Sequence, residues 1–338
     1  MLLSPLGWLY GKIADIRNAL YDRGALRSHD LGAKTISIGN ITTGGTGKTP
    51  LVAHVAEILF DAGEKVCILT RGYGRESSGR VLVSDGEQVL VDARTGGDEP
   101  VELARKLIGK VVIVADADRV AAAAWAKENF GSTVFVLDDG FQHRRAKRDL
   151  DIVCIDSTAS LSFGNMLPAG NLREPIGNLE RADAVVLTRA ELSSSIEDFA
   201  HSVREINSSA HIFRAEARFR ALKNLNSFLS GDAADPELRI TPQTFAFCGL
   251  GNPQSFLTML ATYGSTRFVQ FSDHHQYTQN NIQEIEDGAR RNGCDALITT
   301  AKDAVKLEGL KLEMPCVVAE METVINDPDG FRELVLSA

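Results

Sequence analysis

Paired cysteines and long apolar runs are both missing from this 338-residue sequence. None of its five cysteines belongs to a CxxC pair, and most lie within apolar runs, so we expect reduced, buried thiols in a cytoplasmic protein. No stretch reaches the roughly 18 uninterrupted apolar residues that a membrane-spanning helix needs. The first residues also lack the positively charged start and the cleavage site of a secretory signal peptide. The sequence therefore predicts neither a disulfide framework nor a spanning segment.

An excess of positive charge is absent as well. The 45 acidic residues outnumber the 36 lysines and arginines, which gives a net charge of −9. Binding to nucleic acid needs clustered Lys and Arg against the phosphates, so we expect no nucleic-acid partner. Nothing in the sequence implies an obligate protein partner. The length suffices for one large domain or two ordinary ones.

A glycine-rich stretch between a β-branched run and an apolar-periodic helix is the most informative feature. It reads TISIGNITTGGTGKTP at 35–50. The glycines allow the loop to turn several backbone N–H groups toward one point, where the next helix also directs its positive N-terminus. Lys48 can then reach the β- and γ-phosphates of a nucleotide, and the Thr49 hydroxyl can ligate Mg²⁺. We therefore predict a nucleotide-binding loop formed by Thr42, Thr43, Gly44, Gly45, Thr46, Gly47, Lys48 and Thr49.

One position of this loop departs from the standard phosphate-loop pattern. The pattern G-x-x-x-x-G-K-[ST] requires glycine at position 42, where this chain has Thr42. Gly44 and Gly45 compensate for that glycine. On the residues alone, the alternative is a glycine-rich turn with an incidental lysine.

Two adjacent carboxylates, Asp138 and Asp139, follow an apolar run in TVFVLDDGFQHRR. They come at the C-terminal end of a predicted strand, where ligands bind in open α/β sheets. Neighbouring side chains of a strand point to opposite sides, so we expect the two carboxylates to have different roles. One of them would face Mg²⁺ or its water, together with Thr49. The alternative is a surface turn.

Apolar strand-like runs alternate with helical patterns along the first two thirds of the chain. Strands are predicted at 35–39, 65–70, 111–115, 133–138, 151–155 and 184–188, and helices at 48–61, 98–108, 119–129 and 194–207. This alternation predicts an α/β fold of the P-loop NTPase type, with a mostly parallel sheet covered by helices on both faces. The stretch RVLVSDGEQVLVD at 80–92 reads as a hairpin appended to that sheet.

A second strand–helix series begins at Thr244, after a segment rich in Gly, Asp and Pro. Its strands lie in TFAFCGLG, TRFVQF, CDALITT and PCVVAE, and its helices at 253–263 and 280–292. We therefore divide the chain into an N-terminal amphipathic helix at 1–28, a P-loop core at 29–220, a linker or exposed hairpin at 221–242, and a smaller α/β domain at 243–338.

The N-terminal segment carries apolar residues at helical spacing, which places them on one face of a helix. These residues are Leu6, Leu9, Ile13, Ile16 and Leu20. Trp8 and Tyr10 add amphipathic rings, and Lys12, Arg17 and Arg23 add positive charge. Such a helix is able to lie in a membrane interface. The alternative is a helix that packs its apolar face on the protein's own core.

Two further motifs carry candidate catalytic groups. RTGGDEP places Asp98 and Glu99 after two glycines, where Asp98 is either a base or metal-organising carboxylate, or simply the N-cap of a helix. FSDHHQY places Asp273, His274 and His275 after a strand, and a histidine beside a carboxylate is able to relay a proton. Zinc is disfavoured because adjacent histidines rarely chelate one ion and no third nitrogen or sulfur ligand is near.

Three further charged segments are candidates for a structural or a binding role. Lys302 and Asp303 in TTAKDAVKL lie where a strand meets a helix, so we expect Asp303 to cap that helix. The basic run at 144–148 is typical of a solvated face, and the alternative is contact with anionic lipid headgroups. Arg173 and Glu174 lie in a loop bounded by Gly and Pro, where an arginine fork suits a phosphate.

Motifs spread over nearly the whole chain resemble, in the same order, those of one family. They are SIGNITTGGTGKTP, LTRGYGR, GGDEP, LDDGFQHRR, DIVCID, GNMLPAGNLREP, RADAVVLTR, FCGLGNP, FSDHH and TTAKDAVK. The family they resemble is the tetraacyldisaccharide 4′-kinases, whose phosphate loop has the same departure at Thr42. The resemblance implies transfer of the γ-phosphate of ATP to the 4′-hydroxyl of an acylated glucosamine disaccharide 1-phosphate, which forms lipid IVA.

The resemblance also assigns roles and a location. It implies that Asp98 is the base, paired with His274, that Lys48 is the phosphate lysine, and that Thr49, Asp138 and Asp139 form the Mg²⁺ site. It implies a peripheral protein on the cytoplasmic face of the bacterial inner membrane, bound there through the N-terminal helix. We add a set of candidate residues for substrate contact: Arg71, Tyr73, Gln142 and Arg173.

Two other classes of nucleotide-binding protein are rivals. A membrane switch of the ParA/MinD type also combines paired glycines with an amphipathic helix, but its loop has lysine where this chain has Thr43. A guanine-nucleotide metallochaperone needs the base-reading motif [NT]KxD, which is absent here. The kinase interpretation is therefore favoured.

Overall fold

The computed structural model describes residues 4–159, 164–273 and 275–338. The strands are β1 (Lys34–Asn40), β2 (Val66–Thr70), β3 (Val81–Asp85), β4 (Val112–Ala115), β5 (Val134–Asp138), β6 (Leu150–Asp156), β7 (Ala184–Thr188), β8 (His211–Asn224), β9 (Thr244–Cys248), β10 (Phe268–Gln270), β11 (Ala296–Thr300) and β12 (Cys316–Ile325). The helices are α1 (Ser4–Asp22), α2 (Lys48–Asp61), α3 (Ala93–Gly96), α4 (Asp98–Lys106), α5 (Arg119–Phe130), α6 (Ile196–Ile206), α7 (Leu225–Ser230), α8 (Gln254–Thr262), α9 (Gln279–Arg291), α10 (Ala301–Ala304) and α11 (Pro328–Ser337). Short 3₁₀ helices cover Ile176–Arg181 and Ala190–Leu192.

A single mixed sheet connects both halves of the chain. Within the described residues its order is β10-β9-β11-β12-β8-β7-β6-β1-β5-β2-β4-β3. β1 pairs in parallel with β5 and β6, and Ile38 of β1 lies opposite Asp138 of β5. The end of the phosphate-loop strand is therefore next to the predicted carboxylates. The predicted α/β class is confirmed, and the six strands and four helices predicted between residues 35 and 207 occur, whereas the hairpin predicted at 80–92 forms only in part.

The two faces of the central strands belong to different apolar cores. Val134 and Val136 of β5 join the cluster that contains α2, whereas Phe135 and Leu137 join the cluster that contains α5. Successive side chains of a strand point to opposite faces, so an unbroken apolar run requires cover on both sides. The prediction of helices on both faces is confirmed. All five cysteines are free and buried, as expected.

β8 is the main element that the sequence did not predict. It has 14 residues; Ala184–Thr188 of β7 pairs in parallel with its first part, and β12 pairs antiparallel with the rest. The boundary predicted at 220 falls inside this strand, because residues 221–224 continue β8 and Leu225–Ser230 form α7. Most of β8 is only partly buried, so no clear apolar pattern marks it. The division into a core and a smaller domain stays a prediction.

The predicted hairpin at 80–92 contains only one regular strand. β3 pairs antiparallel with β4 at the sheet edge. Its expected partner is reduced to a single bridge between Ser84 and Val89, supported by the Leu90 N–H donating to the Val83 carbonyl at 2.9 Å. A β-bulge between Leu82 and Ser84 in the pairing with β4 adds to the irregularity.

α1 packs on the protein through its small residues and not through its apolar row. Gly7, Gly11, Ala14 and Asn18 are its buried residues. A Cβ atom on Gly7 would lie 2.8 Å from the Met166 carbonyl oxygen, so only glycine permits this approach. The predicted apolar row is 38–60% exposed: Leu6, Leu9, Ile13, Ile16 and Leu20. The alternative of a core-packed apolar face is therefore wrong for this helix. No helix in the described parts of the chain is long and apolar enough to cross a membrane.

Candidate active site

The glycine-rich loop connects β1 to α2 and is held at both ends. At its start, the Thr43 N–H donates to the Asn171 carbonyl at 2.7 Å, and the Arg173 N–H donates to the Ile41 carbonyl at 2.8 Å. At its end, the Thr188 hydroxyl donates to the Thr46 carbonyl at 2.9 Å. These bonds preorganise the loop backbone, which is what a phosphate site requires.

Gly47 forms the turn into the helix. It is the N-cap of α2 and has a φ of 75°, in the left-handed region that favours glycine. No side chain caps this end of α2, so the first N–H groups of the helix stay available to an anion. Lys48 and Thr49 follow as the first two helical residues.

Lys48 binds Asp139 in this structure. Its Nζ lies 2.5 Å from Asp139 Oδ1 and 3.1 Å from Asn40 Oδ1, and Arg173 Nη1 donates to Asp139 Oδ2 at 2.7 Å. Burial opposes ionisation of Asp139, but the charges of Lys48 and Arg173 outweigh it and lower its pKa to about 2. Lys48, the predicted phosphate lysine, is thus already paired with an anion.

Asp138 has different partners from Asp139. It accepts a hydrogen bond from the Thr70 hydroxyl at 3.0 Å and is buried at the end of β5. Burial and the charges of Glu99 and Asp139 raise its pKa to about 6, against the opposing effect of Lys48. The two adjacent aspartates therefore differ in their partners and in the direction of their pKa shifts, while their roles and the metal assignment stay predictions.

The donor atoms here fit Mg²⁺. Thr49, Asp138 and Asp139 line one cavity and offer only oxygen atoms. The described residues contain no cluster of three or more His, Cys, Asp or Glu suited to a metal ion. Mg²⁺ commonly uses one or two carboxylates and takes its other ligands from substrate phosphates and water, so these residues suffice.

A cavity of about 510 Å³ lies between the glycine-rich loop and the second half of the chain. On one side it is lined by the loop, Arg71, Tyr73 and Glu99; on the other it is lined by 250–252, Asp273 and Lys302. Its volume is within the usual range for small-molecule sites. Of the residues predicted to contact substrate, Arg71, Tyr73 and Arg173 line the cavity. Gln142 does not line it; its side chain donates to the Asn40 carbonyl at 2.8 Å.

The carboxylate of Asp98 is buried at the start of α4. Its side chain is 5% exposed, and its Oδ2 lies 4.0 Å from Lys306 Nζ. The alternative of Asp98 as N-cap is wrong, because Gly97, with a φ of 94°, takes that position and Asp98 is the first helical residue. His274 lies outside the described residues, so its pairing with Asp98 stays a prediction.

Asp303 is a buried hydrogen-bond centre and does not cap α10. Thr300 is the N-cap and accepts from the Asp303 N–H. The carboxylate of Asp303 accepts from the Gly249 N–H at 3.0 Å and from the Tyr277 hydroxyl at 3.1 Å, and it lies 2.9 Å from Lys306 Nζ. It therefore connects three segments of the second half, and the predicted cap was wrong.

The sequence did not predict that Lys302 lies in the candidate active site. Its Nζ lies 3.1 Å from Asp273 Oδ1 and 3.6 Å from Glu99 Oε1, so it connects the GGDEP and FSDHH motifs. The available signal was its place after β11, since ligand-binding residues collect at the C-terminal ends of parallel strands. The ring of His275 stacks on that of Phe271, with their centres 4.6 Å apart.

The basic run at 144–148 is largely engaged within the protein. Arg144 pairs with Asp22 at 2.7 Å, Arg145 pairs with Asp118 at 2.9 Å, and Arg148 pairs with Asp151 at 2.5 Å. The side chain of Arg148 is mostly buried, so the interpretation as a solvated face is wrong for this residue. These arginines pair with residues of α1 and β6 and with the N-cap of α5, and none of the three lines the cavity.

Comparison with known proteins gives one consistent family. The family model described as tetraacyldisaccharide-1-P 4′-kinase matches residues 1–338. The tetraacyldisaccharide 4′-kinase of Desulfotalea psychrophila is 36% identical over 342 residues, which cover 99% of this chain and 96% of that protein. The tetraacyldisaccharide 4′-kinase of Chlorobium luteolum is 39% identical over 314 residues, which cover 91% of this chain and 87% of that protein.

A solved structure agrees with the sequence comparisons. The crystal structure of LpxK from Aquifex aeolicus in complex with ATP matches with a TM-score of 0.78 and 33% identity. The match covers 100% of this chain and 99% of that one. The family model, the sequence relatives and the fold agree over nearly the full length, and the chain belongs to the tetraacyldisaccharide-1-phosphate 4′-kinase family.

Proposed function

We propose that this protein transfers the γ-phosphate of ATP to the 4′-hydroxyl of tetraacyldisaccharide 1-phosphate and so forms lipid IVA. The observation that carries the proposal is the cavity of about 510 Å³ in which the phosphate loop faces Glu99, Asp273 and Lys302. A triphosphate on the loop would meet an acceptor from the opposite side. Family membership over the whole chain supports the same reaction.

The nucleotide end of the site is residues 42–49. Loop N–H groups and the N-terminus of α2 would bind the phosphates, and Lys48 would contact the β- and γ-phosphate oxygens. Since Lys48 now lies against Asp139, an incoming triphosphate would replace Asp139 as its partner. Bound Mg²⁺, held by Thr49, Asp138 and Asp139, would neutralise charge on the phosphate oxygens.

The acceptor end of the site needs a base. The 4′-hydroxyl oxygen attacks the γ-phosphorus, the bond from that phosphorus to the bridging oxygen breaks, and ADP leaves. The hydroxyl proton passes to Asp98, with His274 as the proposed partner of this carboxylate. A positioned general base contributes about 10²–10⁴-fold to such a step. Arg71 and Arg173 suit the anionic part of the sugar, and Tyr73, which is 69% exposed, offers an aromatic surface at the cavity.

The acyl chains of the substrate place the reaction at a membrane surface. α1 presents its apolar row outward, and Trp8 and Tyr10 are exposed beside it. This arrangement suits a helix lying in the interface, with its small-residue face packed on the protein. The protein would therefore act as a peripheral enzyme on the cytoplasmic face of the inner membrane.

The test is product formation from defined substrates. Purified protein is incubated with Mg·ATP and tetraacyldisaccharide 1-phosphate in detergent micelles, and the lipid is analysed by mass spectrometry and ³¹P NMR. We expect one added phosphate, as a monoester at the 4′ position, and no product with Lys48→Met. ATP hydrolysis without phosphorylated lipid would contradict the proposal and favour the nucleotide-dependent switch.

A further inference from the structure

Lys302, in α10, and Lys306, two residues beyond the end of α10, extend toward the start of α4. Lys302 and Lys306 are four residues apart, a spacing that places side chains on one face of a helical turn. Each approaches one carboxylate of the GGDEP turn. Lys302 Nζ lies 3.6 Å from Glu99 Oε1, and Lys306 Nζ lies 4.0 Å from Asp98 Oδ2.

The two lysines have different surroundings. Lys306 is fully buried between Asp98 and Asp303, with its ammonium 5.5 Å from the centre of the Tyr277 ring, so it is part of the core. Lys302 lines the cavity, and its side chain is 12% exposed. Lys302 also binds Asp273 at 3.1 Å, a contact that Lys306 lacks.

Lys302 joins segments that are far apart in sequence and in the sheet. Glu99 belongs to α4, which packs against β3 and β4 at one end of the sheet order. Asp273 follows β10, which is the strand at the opposite end of that order. The ammonium of Lys302 is within ion-pair distance of both carboxylates, so it ties the two walls of the cavity together.

The local electrostatics keep this ammonium charged. Burial lowers the pKa of Lys302, but the nearby charges of Glu99, Asp273 and Asp98 outweigh burial and raise it above its usual value. The ammonium is partly desolvated and paired with two carboxylates. It is therefore held in place, because leaving either carboxylate unpaired there costs free energy.

We infer that Lys302 is a positioning residue for phosphoryl transfer, whose ammonium binds Glu99 and Asp273 and so fixes the start of α4, with Asp98, against the segment that begins at Asp273. This inference rests on the proposed function and deepens it. It assigns to Lys302 no contact with the nucleotide. Displacing a reacting group by about 1 Å is able to cost about 10²-fold in rate.

The test compares Lys302→Met, which keeps the length of the side chain but removes the charge, with Lys302→Arg, which keeps the charge. For Lys302→Met we expect kcat to fall about 10²-fold with an unchanged KM for ATP, and Lys302→Arg should recover most of the rate. The acidic limb of the pH–rate profile should move to higher pH in Lys302→Met, because a nearby cation favours the ionised form of a carboxylate base.

A second comparison separates positioning from loss of structure. Lys110→Met removes an ion pair with Glu57 of 2.8 Å that lies outside the cavity lining, and it should leave kcat unchanged. In a double-mutant cycle, adding Glu99→Gln to Lys302→Met should lower kcat no further than the larger single loss, because the two residues act as a unit. Unfolding by urea checks that each variant is folded.

Three outcomes would overturn the inference. They are wild-type kcat in folded Lys302→Met, additive losses in the cycle, and a rise in the KM for ATP that accounts for the whole defect. The last outcome would place Lys302 in nucleotide binding. Failure of the proposed function is distinguishable, since wild-type protein would then form no phosphorylated lipid at all.

Discussion

Arg173 and Glu174 are adjacent in sequence, yet their charges bind partners on opposite sides of the loop that carries them. Arg173 Nη1 lies 2.7 Å from Asp139 Oδ2, in the candidate active site. Glu174 is fully buried and accepts from Arg17 Nη2 at 2.9 Å and from Asn18 Nδ2 at 3.1 Å, both on α1. One short segment therefore supports the phosphate site and the N-terminal helix together.

Replacing Glu174 should destabilise the protein. In Glu174→Ala, the guanidinium of Arg181, which lies 2.8 Å from this carboxylate, would lose its ionic partner, as would Arg17. Removing one partner of a buried ion pair typically costs about 3–5 kcal/mol. We expect a loss of that size in the free energy of unfolding, measured by urea denaturation. Glu205→Ala removes an exposed carboxylate and serves as control; a loss below about 1 kcal/mol in Glu174→Ala would contradict the account.

Removing apolar surface from α1 should weaken membrane binding without unfolding the protein. Ile13 and Ile16 are 58% and 60% exposed, so Ile13→Asp with Ile16→Asp disturbs no core packing. Moving one isoleucine side chain from water into an apolar environment contributes about 1.5–3 kcal/mol of favourable free energy. Partition of the double variant onto anionic vesicles should therefore fall by at least about tenfold. Sedimentation with vesicles measures this. Leu90→Asp is the control, since it changes an exposed leucine outside α1. Equal binding by the double variant and by this control would argue against the membrane role.

Gly47 should be essential to the shape of the phosphate loop. A Cβ atom there would lie 3.4 Å from the Thr188 side chain, which holds the Thr46 carbonyl, and the residue has a φ of 75°. Both Gly47→Ala and Gly63→Ala place alanine in the left-handed region, at a cost of about 1–2 kcal/mol. Only Gly47→Ala should also lower ATP affinity, by about tenfold, as measured by calorimetry. Wild-type affinity in Gly47→Ala would show that the loop tolerates another backbone shape.

His143 should make stability dependent on pH. Its partial burial and the positive charges of Arg119 and Arg148 lower the pKa of this imidazole to about 4. The unfolded chain takes up the proton near pH 6.5, and the folded chain only near pH 4. The free energy of unfolding should therefore fall as the pH drops through this window, by about 2 kcal/mol after allowing for solvent screening. His143→Gln should flatten this slope, whereas His201→Gln, at an exposed ring, should not. An unchanged slope in His143→Gln would refute the assignment.

The parallel core was predictable because its physical signals are local. An apolar run of the strand at 133–138, a glycine-rich loop and a periodic helix at 48–61 each identify one element, and their order implies the sheet. The position of Asp138 beside the phosphate loop follows from parallel pairing alone. Identifying each of these elements needs no knowledge of distant contacts, whereas the pairing of β1 with β5 joins residues about 100 apart in sequence and comes from the structure.

The contacts that join the halves of the chain were not predictable in this way. β8 is partly exposed and rich in charge, so its pairing with β12 depends on partners about 100 residues away. The role inferred for Lys302 depends on its contacts with Glu99 and Asp273, which exist only in the folded chain. The fully buried Asp303 likewise looked like a cap because its partners, Gly249 and Tyr277, lie far off in sequence.

The most direct test of the central claim is the turnover of Asp98→Asn, a change that keeps the size of the side chain but removes its ability to accept a proton. With Mg·ATP and tetraacyldisaccharide 1-phosphate, rapid-quench kinetics should show kcat reduced by about 10²–10⁴-fold and the KM for ATP nearly unchanged. Turnover close to that of the wild-type protein would contradict the assignment of Asp98 as the base that activates the sugar hydroxyl.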